Sequence, residues 1–277
     1  MTPAPSDRAH PQGQRLVRPG RLVLVVGTGT DVGKTWVSAR ILSALRAAGL
    51  TVAARKLAQS YAADDPPEGY DSAVLAAASG EPELAVCPPH RWFDVAMAPP
   101  MAAEALGRPG FSLGDLEEEL VWAASGIGVG ADAGATLGAV PAVGLVESAG
   151  GVCSPQADDG DAVALCRDLA PNLVMLVADA GLGTINAVRL SVVALVTGLV
   201  VLPPLLVVLN RFDPADDLHV RNRQWLAERD GLAVVVTPGD EEVLAALVRG
   251  VGGPADAAPE GVGGPADAAA EGPPGGR

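Results

Sequence analysis

Aromatic residues are nearly missing from this chain: four tryptophans, two tyrosines and three phenylalanines in 277 residues, 3% of the total. A hydrophobic fraction of 49% still supplies a core, which must then be built from Ala, Val and Leu. Cysteines are scarce too. Cys87, Cys153 and Cys166 form no CxxC pair, which argues against a disulfide framework or structural zinc and fits a reduced, cytoplasmic setting. The three histidines, His10, His90 and His219, make no metal or nucleophile pattern. Basic charge is also short: 19 Lys and Arg against 33 Asp and Glu give a formal charge of −14. Nonspecific nucleic-acid binding depends on the opposite balance, so no nucleic-acid partner is expected.

Residues 1–20 hold no apolar stretch of the secretory kind and are expected to be a loose arm. From Gly250 the chain turns to Gly, Pro and Ala, with "GVGGPADAA" recurring at Gly261. Nothing there repays the entropy of ordering, so 250–277 is expected to be a disordered tail. Between these ends, 21–249 is expected to be one domain. One charge-free run, Leu190 to Leu209, is long enough to suggest a membrane span, but Pro203 and Pro204 split it. A buried helix followed by a core strand, "LLVVLN", is the better reading, with no membrane partner.

Across 21–249, short apolar runs alternate with helical ones. "RLVLVVG", "LTVAARK", "AVGLVE", "NLVMLVAD", "PLLVVLN" and "LAVVVTP" read as strands. Helices are expected at "GKTWVSARILSALRAAG", "DSAVLAAASG", "PPMAAEALG", "DAVALCRDLA", "NAVRLSVVALVTG" and "VRNRQWLAERDG", and one at "SLGDLEEELVWAA" capped by Ser112 and Asp115. This alternation implies an α/β fold, a mostly parallel sheet flanked by helices on both faces. The segment 126–141 interrupts it and has no assignment. Trp92 and Trp225 are expected to be packing residues.

Ligands of such sheets gather beyond the C-terminal ends of the strands, where the sharpest motif lies. "GTGTDVGKT", Gly27 to Thr35, joins the first strand to the first helix. Gly27, Gly29 and Gly33 permit tight turns, and backbone N–H groups of Thr28, Thr30, Asp31 and Val32 can face an anion at the helix start. Lys34 can reach terminal phosphates and Thr35 can bind Mg²⁺. The usual phosphate loop has a glycine where Thr28 stands. Lys56 ends the second strand, with Ser60 four residues on, and is either a solvated charge or part of an electropositive cup. Asp71 opens a helix, as a cap or as a metal ligand. Glu147 ends an apolar strand, a costly place for an acid that lacks a cation. Thr35, Asp71 and Glu147 make a sensible hard-oxygen set for Mg²⁺. Asn210 ends another strand and carries both a donor and an acceptor, enough to read a purine edge.

These motifs, in this order, resemble the dethiobiotin synthetase family. Its loop G-T-D-T-x-V-G-K-T stands here as "GTGTDVGKT", its K-P-V-x-S as "KLAQS" and its V-E-G-A-G-G as "VESAGG". "VADAGLGTINAVRLS" is similar to its glycine–leucine–glycine–x–isoleucine–asparagine segment, so the likeness runs from about Val23 to Val236. The resemblance implies a P-loop NTPase-type fold and a homodimer with substrate near the interface. It implies the ATP-dependent closure of 7,8-diaminononanoate and CO₂ to a cyclic urea, as in biotin biosynthesis, with ADP and phosphate released. It gives Lys34, Lys56, Ser60 and Thr30 catalytic roles, and gives the adenine to Asn210. Lys56, Ser60, Ser148 and the turn Ala149, Gly150, Gly151, Val152 and Cys153 would face the substrate. The chain departs from the pattern at Gly29, usually aspartate, at Ser148, usually glycine, and at "APPMAA", where Met101 replaces a histidine. The alternatives are a ParA-like switch ATPase, disfavoured because no lysine precedes Lys34 in the loop, and a diverged P-loop ATPase acting on another substrate.

Overall fold

A computed structural model describes residues 18–62, 64–122 and 140–250. The expectations for 1–17, for most of 126–141 and for the tail beyond 250 lie outside them. Six parallel strands form the sheet: β1 (Arg21–Gly27), β2 (Val52–Lys56), β3 (Val143–Glu147), β4 (Leu173–Asp179), β5 (Leu205–Asn210) and β6 (Val234–Thr237). Their order is β6-β5-β4-β1-β3-β2. The expected α/β architecture is present, with all six expected strands.

Each central strand is apolar on both faces, as a covered parallel sheet requires. Alternate residues of β1 part company: Val23 and Val25 enter one apolar layer, while Leu22, Leu24 and Val26 enter the other. The first layer is closed by α1 (Lys34–Ala47), with α2 (Asp71–Ser79) and a C-terminal helix, Glu241–Arg249, beside it. It is wholly aliphatic. The few large aromatics of the core, Phe93, Phe111, Trp122 and Phe212, all lie in the second layer. At the β2 edge, the exposed side of the ladder is closed by Glu81. Its carboxylate accepts from the Ala54 N–H at 2.7 Å and pairs with buried Arg55 at 2.8 Å, which leaves that edge a poor template for another strand.

Ser112 and Asp115 do form a capping box, on a short helix, Leu113–Glu118. The run at 190–209 differs from expectation. The helix there, Thr184–Gly198, buries only Thr184, Val188, Ser191 and Leu195, leaving Leu190, Val193 and Val196 more than half exposed (63%, 57% and 51%). From Val192 to Val196 its sequence is apolar without a break, so no periodicity there marks which face is buried. Val200 and Val201 follow in an exposed loop before β5. No helix among the described residues is long and apolar enough to cross a membrane. Trp225, expected in packing, is also exposed, flanked by Arg189 and Arg229. The final helix, Glu241–Arg249, had not been expected from the sequence.

Candidate active site

Strand register assembles the site. Glu147 pairs with Val25 on one side and Lys56 on the other, while Asn210 pairs with Asp179 and Thr237. The chemistry-bearing residues therefore share one rim, at the C-terminal ends of the strands. A cavity of about 820 Å³ opens there, lined among others by Thr30, Asp31, Gly33, Lys34, Thr35, Lys56, Ser60, Asp71, Ala149 and Gly150.

The loop between β1 and α1 uses its glycines for different reasons. Gly33, with φ 91°, is the left-handed residue before α1, and a Cβ there would come within 2.0 Å of Asn210 Nδ2. At Gly27 a Cβ would press on the Gly29 carbonyl at 2.9 Å and on the Lys34 side chain at 3.0 Å. Thr28 donates its N–H to the Val177 carbonyl, tying the loop to β4. Asp31 lies in the left-handed region without being glycine (φ 58°), a conformation costing about 1–2 kcal/mol.

Lys34 folds back under this loop. Its Nζ donates to the carbonyls of Gly29 at 3.0 Å and Gly150 at 2.8 Å. Burial, with the nearby Lys56 charge, lowers its pKa to about 8. Lys56 is buried, 3% exposed, which excludes the solvated charge that was one of its two readings. Its Nζ lies 2.6 Å from Asp71 Oδ2 and 2.9 Å from Glu147 Oε1. Burial opposes its charge, but Asp71 and Glu147 outweigh that and raise its pKa above the ordinary lysine range. Asp71 opens α2 without serving as its cap; Tyr70 holds that position. Burial pushes the Asp71 carboxyl up, yet Lys56 and the Thr35 hydroxyl hold it below its usual range.

Thr35 Oγ1 lies 2.6 Å from Asp71 Oδ1 and 2.8 Å from Glu147 Oε1. One hydroxyl hydrogen cannot serve both contacts, and Glu147 Oε1 also accepts from Lys56 Nζ at 2.9 Å, so three hard oxygens crowd together beside one ammonium. That donor set suits a small divalent cation such as Mg²⁺. Glu147, fully buried, also accepts from Ser38 Oγ at 2.9 Å. Ser38 was missed in the sequence, although its place three residues after Thr35 puts both on one face of α1.

The 148–153 turn is built more tightly than expected. Gln156 accepts from the Ala149 N–H and donates to the Ala149 carbonyl, both at 2.8 Å, and Ser154 Oγ accepts from the Gly151 N–H at 2.9 Å. Those two N–H groups, in a turn expected to face the substrate, are instead taken within the turn. Val152 is buried in the second apolar layer and Cys153 is exposed. Gln156 and Ser154 gave no signal in the sequence, because their partners are backbone groups. Ser60 Oγ and Ser148 Oγ are buried without a hydrogen-bond partner among the described residues. Asn210 is buried, donating from Nδ2 to the Val32 carbonyl at 3.1 Å and accepting from Thr237 Oγ1 at 3.2 Å. In a chain so poor in aromatics, Trp36, Tyr61 and Tyr70 all line this cavity, the two tyrosines stacked at 4.1 Å.

A family described as AAA domain matches residues 21–245. The ATP-dependent dethiobiotin synthetase BioD of Anaeromyxobacter dehalogenans (strain 2CP-C) is 38% identical over 225 residues, covering 78% of this chain and 89% of that protein. The chain belongs to the dethiobiotin synthetase family. The family member of the same name from Haloferax mediterranei is 34% identical over 221 residues, covering 77% of this chain and 82% of its own length. That from Caulobacter vibrioides (strain NA1000 / CB15N) is 37% identical over 163 residues, or 58% and 68% of the two chains. Among solved structures, a plasmid partition protein of Borrelia burgdorferi bound to AMPPNP aligns over 80% of this chain and 89% of that one. The two share 11% identity, with a TM-score of 0.45.

The departures from the dethiobiotin synthetase pattern can be judged in space. A Cβ at Gly29 would meet only Val32 Cγ1, at 4.0 Å, so the family's aspartate has room there. Met101 is exposed on its helix, Pro99–Ala105, whereas Pro99 reaches the cavity. Ser148, by contrast, puts a buried hydroxyl beside the central acid.

Proposed function

We propose that this protein is an ATP-dependent dethiobiotin synthetase, converting 7,8-diaminononanoate and CO₂ to a cyclic urea with release of ADP and phosphate. The observation that carries this reading is the convergence of Lys34, Thr35, Lys56, Asp71 and Glu147 on one cavity, in a chain of this family. Residues 21–249 would act as one catalytic domain.

One substrate amine attacks CO₂ and loses a proton, giving a carbamate. A carbamate oxygen then attacks the γ-phosphorus of ATP, and ADP leaves. The second amine attacks the carbamoyl carbon of this mixed anhydride, phosphate departs with its electron pair, the amine gives up a proton to the departing phosphate or to water, and the ring closes. Lys34 would exchange the Gly29 and Gly150 carbonyls for phosphate oxygens, neutralising charge as the phosphoryl group moves. Lys56, kept cationic by two buried acids, would hold the carbamate against the γ-phosphate. Such positioning accounts for much of the rate gain in a reaction of this kind. Ser60, whose buried Oγ lacks a partner, would bind the reacting nitrogen, and Thr30 would line the path between substrate and phosphates. Thr35, Asp71 and Glu147 would hold Mg²⁺, whose charge stabilises phosphate oxygens when it is bound. Asn210 retains one N–H and one lone pair for adenine. Gly150, Val152 and Cys153 would lie along the substrate path. No protein nucleophile is required.

The outward face of Thr184–Gly198, with Leu190, Val193 and Val196, supports a homodimer, since such a contiguous apolar patch is unusual on a monomer. A cytoplasmic location accords with the acidic composition and unpaired cysteines.

The test is ATP-dependent incorporation of ¹⁴C-bicarbonate into acid-stable product with 7,8-diaminononanoate and Mg²⁺, comparing the native protein with Lys56→Ala. Incorporation lost in the variant is expected. A folded native protein that binds Mg-ATP yet incorporates no label would refute the synthetase reading.

A further inference from the structure

Two short segments meet in register at the cavity: residues 59–61, just after β2, and residues 70–72, at the start of α2. Gln59 meets Ser72, and Tyr61 meets Tyr70. Between those pairs sit Ser60 and Asp71, which in the reaction above would hold the reacting nitrogen and Mg²⁺. Gln59, Ser60, Tyr61, Tyr70 and Asp71 all line the cavity.

The Gln59–Ser72 pair is buried and doubly bonded. Gln59 Oε1 accepts from the Ser72 N–H at 2.9 Å, and Gln59 Nε2 donates to Ser72 Oγ at 2.8 Å. The first bond caps α2 from outside the helix. A helix start leaves four N–H groups in need of acceptors, and Tyr70, at the capping position, makes no side-chain capping bond. Ser72 Oγ in turn donates to Glu83 Oε1 at 2.6 Å, a short charge-assisted bond. The single hydroxyl hydrogen goes to Glu83, so Oγ has only lone pairs to offer Gln59. The amide therefore faces Ser72 in one orientation alone, and Glu83 sets it. The second clamp is a stack, with the Tyr61 and Tyr70 ring centroids 4.1 Å apart and their planes 21° from parallel. Buried hydrogen bonds return little net stability. What a satisfied network gives is one fixed arrangement, and here the residues fixed are Ser60 and Asp71.

We propose that Gln59 and Ser72, with the Tyr61–Tyr70 stack, are positioning residues. They set the spacing between the Ser60 hydroxyl and the Asp71 carboxylate, and so hold the substrate amine and the divalent cation in register. This deepens the synthetase reading and rests on it.

The experiment uses the full chain. Urea formation is measured for Gln59→Leu and Ser72→Ala, each alone and combined with Ser60→Ala. With Ser60 present, Gln59→Leu should lower kcat about 10- to 100-fold, the scale of a misplacement of about 1 Å. Ser72→Ala keeps the bond from its N–H and should lose about two- to tenfold. In the Ser60→Ala background each factor should fall to about half or less, because one of the groups being positioned is gone. Tyr61→Phe, which keeps a stacked ring, should lose far less than Tyr61→Ala. A second readout needs no turnover: calorimetry with ADP, with and without Mg²⁺. Gln59→Leu should weaken Mg-ADP by at least about threefold and metal-free ADP by less than about twofold. Equal factors in the two backgrounds, or ADP weakened equally with and without Mg²⁺, would mean general loosening and would overturn the proposal. Unchanged kcat would overturn it too. Ser72→Ala applies the same comparisons if Gln59→Leu does not fold. If the native protein forms no urea, the synthetase reading falls and the ratio of Mg-ADP to ADP affinity decides the clamp.

Discussion

Replacing Lys56 by methionine removes the cation from a buried cluster while keeping most of its volume. Glu147 would then lie fully buried, its remaining side-chain hydrogen bonds among the described residues coming from the Thr35 and Ser38 hydroxyls. Breaking a buried pair in this way costs about 3–5 kcal/mol, mainly because the surviving charge is left uncompensated. In a domain of roughly 200 residues each kcal/mol is worth about 2–4 °C, so Tm should fall by about 6–20 °C. Adding Glu147→Gln removes the orphaned charge, and the double variant should recover at least half of that loss. Thermal unfolding followed by circular dichroism, without nucleotide or divalent cation, reads both numbers. Millimolar Mg²⁺ should raise the Tm of the single variant more than that of the native protein, since the freed carboxylates gain a ligand. The acid limb gives an independent check. Asp71 has its pKa lowered in the fold, so its contribution is complete above the unfolded value near 4 and is lost as pH falls through the folded value. Without Lys56 that loss should shrink. A single variant within about 2 °C of the native Tm, or a double variant no better than the single, would refute the reasoning that the cluster is a buried, mutually dependent charge system.

The pKa of Lys34, lowered to about 8, gives a prediction for binding. A phosphate ligand favours the protonated amine, so at pH 8.5 Mg-ATP binding should take up roughly three-quarters of a proton at this lysine, and affinity should weaken as pH rises further. Calorimetry in buffers of different ionisation enthalpy measures this, and no uptake would mean that Lys34 is already fully charged or does not meet the phosphates. On the outward face of Thr184–Gly198, Val193→Asp should shift a homodimer toward monomer in sedimentation velocity while leaving Tm of the isolated subunit nearly unchanged. A native protein that sediments as a monomer would remove the basis for the dimer.

The strands were legible because burial on both faces leaves continuous apolar runs that turns and polar helix faces interrupt. The order of phosphate loop, Lys56, Asp71 and Glu147 was legible because each sits where a strand ends or a helix begins. Other features gave no local sign. The helix Thr184–Gly198 is apolar without a break from Val192 to Val196, so nothing in that run distinguished the buried side from the exposed one. Gln156 reads as an ordinary loop amide until Ala149 is seen against it. Arg211 reads as a solvated charge, because its partners, a carbonyl at Asp31 and a carboxylate at Asp179, lie 180 and 32 residues away.

The site itself follows from the period-2 geometry of the strands that carry it. On β3, Val143 and Leu145 bury themselves in the layer beneath α1, and Glu147 is the next residue on that same face. On β2, Val52 and Ala54 do likewise, and Lys56 follows them. The apolar residues that seat each strand therefore also aim its terminal charge toward Thr35 and Ser38 on α1. A slip of one residue in either strand would turn the charge to the opposite face together with every apolar side chain before it. Both faces of these strands are buried, so fit rather than polarity penalises the slip: at Gly144 a Cβ would come within 2.6 Å of Pro19 and Trp122, and a slip of β2 would turn Arg55 away from Glu81. Moving Lys56 or Glu147 by one position in sequence should for this reason abolish the cluster even where the fold survives.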